Sequence, residues 1–247
     1  TLDSTSKEVT YGDSITLKAS VTSGTPQTVT WKSSNTAVTT VKDGVVTAMG
    51  KGTAKITASL PNGRSAVCTI KVTTKKLPTS GCSYASTAQY TGSAIIPTVT
   101  VKDGSKVLRQ NIDYRVIVTN NVKIGHANIT ISGMGNYYGS YTAGFDIIPA
   151  KQTIQKLETR YKGFFVDWAQ KGSATGYDVE YSVNANMSGA VSKHLTASKP
   201  DTLTVSGLAG DKTYYVRVRS YTNVNGKVYY GAWSDIKSIK TANNDIT

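Results

Sequence analysis

The 247-residue chain is poor in the residues that carry most site chemistry: it has two cysteines, two histidines and 15 acidic residues. Cys68 and Cys82 are too few for a disulfide framework. His126 and His194 are the only histidines, and no Cys or His pair has metal-ligand spacing, so no metal centre is expected. No stretch approaches the roughly 20 apolar residues that a membrane-spanning helix needs. Charged residues amount to 17%, against about 25% in an average domain, which excludes a coiled coil or helical bundle. There is no Gly-x-Ser-x-Gly elbow, Walker loop or His-Glu-x-x-His. Residues 77–150 hold only Asp103, Asp113 and Asp146 as carboxylates. Neither catalysis nor a cofactor is expected. No signal peptide, lipidation motif or sorting sequence is present, and the chain reads as an interior or trimmed segment of a longer protein.

What fills the gap is 35 Thr, 25 Ser, 24 Val and 22 Gly, the strand-formers and turn-formers of an all-β chain. The net charge of +13 raises a nucleic-acid reading, but it divides as +6 over residues 1–76, +2 over 77–150 and +5 over 151–247. A nucleic-acid footprint clusters its charge or interleaves it with exposed aromatics. Scattered lysines on outward strand positions serve solvation and edge protection. They leave room for attraction to anionic wall polymers or glycans.

Alternation marks strands at Ser14–Val21 (Ile15, Leu17, Ala19 and Val21 on one face), Val29–Lys32, Gly44–Ala48, Thr53–Ser59 and Ala66–Val72. Turns punctuate them at Tyr11-Gly12-Asp13, Ser23-Gly24-Thr25-Pro26, Lys42-Asp43-Gly44, Met49–Gly52 and Pro61-Asn62-Gly63. Cys68 shares a face with Ile70 and Val72 and reads as a small buried hydrophobe; a Cys68–Cys82 clasp is the alternative. Val29–Asn35 with Trp31, then Gly44–Ala58 with Gly50 and Gly52, then Val67–Val72 resemble the bacterial Ig-like group 2 domain in order and spacing, over residues 1–74. Trp31 is expected on a central strand, and Gly50 and Gly52 at a tight connection. The resemblance implies a repeated spacer domain of surface-exposed or secreted bacterial proteins, adhesins included.

Further strands fall at Thr98–Lys102, Tyr114–Thr119, His126–Ser132 and Tyr141–Ile147. Tyr90-Thr91-Gly92, Asp113-Tyr114, Asn120-Asn121 and Ile129–Tyr137 resemble a β-rich repeat of Gram-positive surface proteins over residues 80–149. Tyr138 and Tyr141 depart from that pattern. In the last part, Phe164–Trp168 reads as an early strand and Gly176–Ser182 as the next but one. Leu203–Leu208, Lys212–Tyr221 and Gly231-Ala232-Trp233-Ser234 follow. This order resembles a fibronectin type III domain over residues 154–241. The resemblance places Tyr214 at the fold's tyrosine corner, ring buried and hydroxyl bonded to nearby backbone. By parity Tyr214, Val216 and Val218 face inward and Tyr215, Arg217 and Arg219 outward.

The expected fold is therefore all-β: three tandem Ig-like or fibronectin-like β-sandwich domains in an extended rod, at residues 1–76, 77–150 and 151–247. The linkers Thr73–Thr79 and Ile148–Thr153 are short, each with one proline, and restrict inter-domain angles. Three sandwiches in line span roughly 110–130 Å. Two surfaces are candidate ligand sites. One is the loop Gly133–Tyr141, where Tyr138 offers a stacking face with Asn136 and Ser140 as hydrogen-bonding partners; the alternative is that Tyr137 and Tyr141 plug the sandwich end and Tyr138 is incidental. The other is Tyr215, Arg217, Arg219 and Trp233, either a partner-binding patch or a structural cation–π ladder. Asp43 and Asp103 sit in Lys-Asp-Gly turns, where Asp bonds its own backbone. No lysine with a partner acid for a Lys–Asn cross-link can be singled out. The expected role is a non-catalytic, extracellular or wall-associated spacer with adhesion as an added role; a glycan-binding region beside a carbohydrate-active enzyme is the alternative. Expected partners are other domains of the parent protein and a wall polymer, glycan or host surface protein. Nucleic acid, membrane insertion and self-association are not expected.

Overall fold

The computed structural model describes residues 1–22, 27–169, 174–196 and 201–244. The turn expected at Ser23-Gly24-Thr25-Pro26 lies outside them. The first strands are β1 (Ser6–Thr10), β2 (Ser14–Thr16), β3 (Thr30–Ser33), β4 (Thr39–Lys42), β5 (Val45–Ala48), β6 (Gly52–Ser59), β7 (Ser65–Thr73), β8 (Lys75–Lys76) and β9 (Cys82–Ser83). Then come β10 (Thr87–Gln89), β11 (Thr100–Asp103), β12 (Lys106–Val107), β13 (Tyr114–Thr119), β14 (Gly125–Gly133), β15 (Tyr137–Tyr138) and β16 (Ser140–Ile148). The last are β17 (Thr153–Arg160), β18 (Gly163–Ala169), β19 (Gly176–Ser182), β20 (Val191–Leu195), β21 (Thr202–Val205), β22 (Thr213–Val224), β23 (Lys227–Tyr230) and β24 (Lys237–Lys240). There is no helix among the described residues: the chain is all-β, with sheets packed as sandwiches. Its contacts form two compact units. One is Thr1–Ser83 with Val99–Ile117 and Thr130–Thr142; the other is Tyr84–Thr98 with Val118–Ile129 and Ala143–Thr247.

In the first unit, a sheet ordered β1-β7-β6-β3 packs on a second ordered β2-β5-β4. The alternation that marks the strands also fills the core between them: Leu17, Val46, Ile56, Cys68 and Ile70 are all at most 2% exposed. Burying each of the larger aliphatic chains contributes about 1.5–3 kcal/mol. Cys68 is the small core hydrophobe expected, its thiol pushed up by burial; both cysteines are free, so the clasp with Cys82 is not formed. Trp31 needs a correction. Its strand β3 is the sheet's edge, not its centre, and the ring is only half-buried. It lies over Gly44, which has φ +82° and where an added Cβ would stand 3.1 Å from the ring and 2.6 Å from the Leu17 carbonyl. Strand β1, which the alternation missed, has only Val9 as a fully buried anchor. It runs parallel to β7, register Ser6↔Thr69 to Thr10↔Thr73.

In the second unit, β17-β18-β21 faces β20-β19-β22-β23, with β24 also on β22. Phe164, Val166, Trp168, Val179, Val216 and Val218 are fully buried between them. The expected parity of β22 holds: Tyr214, Val216 and Val218 are buried while Tyr215, Arg217 and Arg219 are partly exposed. Tyr214 is a tyrosine corner, its hydroxyl oxygen accepting the Ala209 N–H at 3.2 Å. Strands β18 and β19 follow one another among the described residues, so Gly176–Ser182 is the next strand rather than the next but one. Strand β17 escaped the sequence pattern because its register shifts between Ile154 and Lys156. That bulge breaks the period of two. Elsewhere β10, β16, β14 and β13 form a four-stranded sheet in that order, and β10 runs parallel to Asp146–Ile148 of β16.

Candidate functional site

The loop Gly133–Tyr141, in the first unit, separates its tyrosines by strand parity. β15 pairs in parallel with β8, Tyr137 against Lys75 and Tyr138 against Lys76, so the first two residues face one way and the second two the other. Inward, Tyr137 is 3% exposed. Its hydroxyl donates to Asp103 Oδ2 at 3.1 Å, and Lys75 Nζ donates to both Asp103 oxygens at 2.9 and 2.8 Å. Burial alone would raise the Asp103 carboxyl, but the Lys75 and Tyr137 hydrogen bonds and the charges of Lys75 and Lys106 hold it below the usual range. Tyr137, buried beside that carboxylate, is pushed far above an ordinary phenol. Tyr11 meets Tyr137 edge-on at 5.5 Å, and Lys106 Nζ donates to the Tyr11 hydroxyl at 2.5 Å.

Backbone closes the same arrangement. Lys75 N–H donates to the Asn136 carbonyl, and Leu77 N–H to the Tyr138 carbonyl, both at 2.9 Å. The candidate ligand residues Asn136, Tyr138 and Ser140 are therefore placed differently. Asn136 Oδ1 accepts the Lys51 N–H at 2.8 Å and is a structural cap. Tyr138 is 52% exposed, and Ser140 is exposed. The Asp103 carboxylate binds Lys75 and Tyr137, not the backbone of its own turn as its Lys-Asp-Gly context suggests. The pair is ionic, and Asp103 is held in its charged form.

In the second unit, Arg217, Arg219 and Trp233 form one stack. Both guanidinium carbons lie 4.4 Å from the Trp233 ring centre, and that of Arg219 lies 4.0 Å from Tyr230. Each arginine is anchored across the sheet by its register partner. Arg217 donates to Glu180 Oε2 from Nε at 2.8 Å and Nη2 at 2.6 Å, and Arg219 donates to Asp178 Oδ2 from Nε at 2.9 Å. His194 Nδ1 lies 2.6 Å from the other Asp178 oxygen, and its ring stacks on Tyr221 at 4.6 Å. Gly176 makes room for that ring: a Cβ there would stand 2.4 Å from the Tyr221 hydroxyl and 2.1 Å from the Leu195 carbonyl. Trp233 is aimed by its neighbour Ser234, whose N–H donates to the Val218 carbonyl and whose hydroxyl accepts the Val218 N–H. Tyr215 shares the outward face but has no ring contact with the stack among those described. Pairing the charge doublets Asp178/Glu180 and Arg217/Arg219, each two apart on its strand, was the signal available in the sequence.

The segment Ile148–Thr153, expected as a linker, also makes side-chain contacts. Gln152 is 1% exposed and donates to Ser220 Oγ at 2.9 Å, while Lys151 Nζ reaches Asp235 at 2.6 Å. Asp146 is bound by His126 Nδ1 at 2.8 Å and Lys227 Nζ at 3.0 Å. The His126 hydrogen bond holds its carboxyl low against the opposing effect of burial, with Lys227 adding to the lowering. No group of three or more His, Cys, Asp or Glu side chains able to hold a metal occurs among the described residues.

These geometries define a class, an all-β protein of packed sandwiches braced by ion pairs and stacked aromatics. No known family profile matches the chain. Over 48 residues it is 56% identical to a lacto-N-biosidase of Bifidobacterium bifidum, a stretch covering 19% of this chain and 4% of that protein. Among solved structures, domains A168–A170 of titin are 16% identical, with 97% of each chain covered and a TM-score of 0.30. A β-1,2-glucanase from Parabacteroides distasonis is 14% identical over 47% of this chain and 17% of its own, TM-score 0.33. A fibronectin type III domain of the human KIAA0970 protein is 14% identical over 40% of this chain and 75% of its own, TM-score 0.30. The sandwich fold stands on the strand pairing itself.

Proposed function

We propose that the chain is a non-catalytic spacer of a secreted or wall-associated bacterial protein, built as three sandwiches over residues 1–76, 77–150 and 151–247, that holds a neighbouring module at a set distance. The observation that carries this is the state of the first linker. Residues Lys75–Lys76 form a β-strand on Tyr137–Tyr138 and are tied to Asp103 by an ion pair, an arrangement suited to fixing an angle rather than to a tether. The stretch shared with a lacto-N-biosidase supports a parent enzyme acting on carbohydrate outside the cell.

A second reading, a glycan-binding region beside such an enzyme, is favoured by the exposed ring of Tyr138. Two measurements separate them. Spin labels at positions 55 and 115 of the first unit give a narrow distance distribution under the spacer reading, broadened in Asp103→Ala; a broad wild-type distribution defeats it. In affinity gels, retardation by polysaccharide that Tyr138→Ala abolishes supports the second reading, and unretarded migration removes it.

A further inference from the structure

We infer that the chain bears tension, with graded shear clamps at the ends of its sandwiches, and that the clamp nearest the N-terminus is the strongest; as a role this rests on the spacer reading. The observation is the direction of the end strands. Chain entering on β1 leaves on β7, and the two strands run parallel with five register pairs. The ladder extends to Thr5, whose carbonyl accepts the Thr69 N–H, and to Tyr11, whose N–H donates to the Thr73 carbonyl. A pull on the two ends drags parallel neighbours in opposite directions along their own axis. Every hydrogen bond of the ladder is then loaded together instead of one after another.

The same device recurs in shorter form. β10 has three parallel register pairs with β16, extended by the Ser86 carbonyl accepting from Asp146 N–H and the Ile148 carbonyl accepting from Tyr90 N–H. Among the described residues, the last sandwich has a single parallel bridge, Tyr161↔Ala242, with the Ala242 N–H on the Arg160 carbonyl and the Lys162 N–H on the Ala242 carbonyl. The short antiparallel contact of Leu2 with Ala19 is pulled open from one end and yields first without releasing a sandwich.

Forced unfolding reads the activation barrier, so the test is to stretch the full chain from handles at its two ends. The fully extended contour is about 24 nm between Ser6 and Thr73, about 22 nm between Ser86 and Ile148, and about 29 nm between Tyr161 and Ala242, at roughly 3.6 Å per residue, and each event is named by it. The 29 nm event is expected at the lowest force and the 24 nm event at the highest. Lys7→Pro, which removes a backbone N–H from the first ladder, lowers only the 24 nm event. Should that variant fail to fold, moving one handle from the C-terminus to the exposed Asn62 turn loads β1 and β7 from the same end in the unaltered protein. The force on that sandwich then falls. A 29 nm event at the highest force, or equal force in the two pulling geometries, overturns the inference. The force order is read directly from the molecule, so it stands or falls separately from the spin-label test of the spacer reading.

Discussion

The cluster around Asp103 and the stack around Trp233 use similar side chains to different ends. In the stack, arginines and carboxylates face each other in strict register on adjacent strands, and everything they touch belongs to one sheet or its flanking segment. It stiffens a surface. Around Asp103, the partners come from a linker strand, a turn and a loop, with Tyr11 at the end of the first strand closing the ring. It ties together pieces of chain that lie far apart in sequence. The same chemistry stabilises a sheet when its groups are in register, and sets a geometry when they are distant in sequence.

Substitutions break this contrast in a definite order. Tyr137→Ala is expected to cost most, about 3–5 kcal/mol, because it empties a buried aromatic site and removes a hydrogen bond from Asp103; chemical denaturation measures it. Gly176→Ala comes next at about 1–3 kcal/mol by overpacking against Leu195 and Tyr221, read as a fall in melting temperature. Trp233→Ala follows at roughly 1–2 kcal/mol, two partly exposed cation–π contacts at about 0.5–1 kcal/mol each. Tyr138→Ala changes stability by less than about 0.5 kcal/mol, which makes it a clean probe for ligand binding.

Acid sharpens the comparison. The Asp103 carboxyl is held low in the folded protein, so its contribution is fully present above the unfolded value of about 3.9 and is lost as pH falls through the folded one. Stability measured from pH 5 downward falls less steeply in Asp103→Asn than in the parent chain. The variant is weaker at pH 7, and the two converge in acid.

Much of this was legible from periodicity. Tyr114–Thr119 alternates in burial and Gly176–Ser182 alternates in polarity although both its faces are covered, and both strands lie where the pattern puts them. The outward Arg217 and Arg219 followed from the same parity. Strands were missed where periodicity is weak for a physical reason: β17 has a bulge, β1 one buried anchor, and β20 four exposed residues of five. Trp31 misled because a large apolar residue reads as central, while here it covers the sandwich at an edge over a glycine. The role of Asp103 was not legible at all. Its turn is local in sequence, but Lys75 is 28 positions away and Tyr137 is 34, and only the pairing of β8 with β15 brings the three together.

The central claim is that residues 75–77 are part of the folded unit rather than a tether. Native-state hydrogen exchange at the Lys75 and Leu77 amides tests it most directly, since both are bonded to the Asn136–Tyr138 segment. Slow exchange is expected at both positions, within the range of the β7 amides, with loss of that protection in Asp103→Ala while β7 stays protected. Exchange of Lys75 and Leu77 at the rates of an unstructured peptide in the parent chain would contradict it.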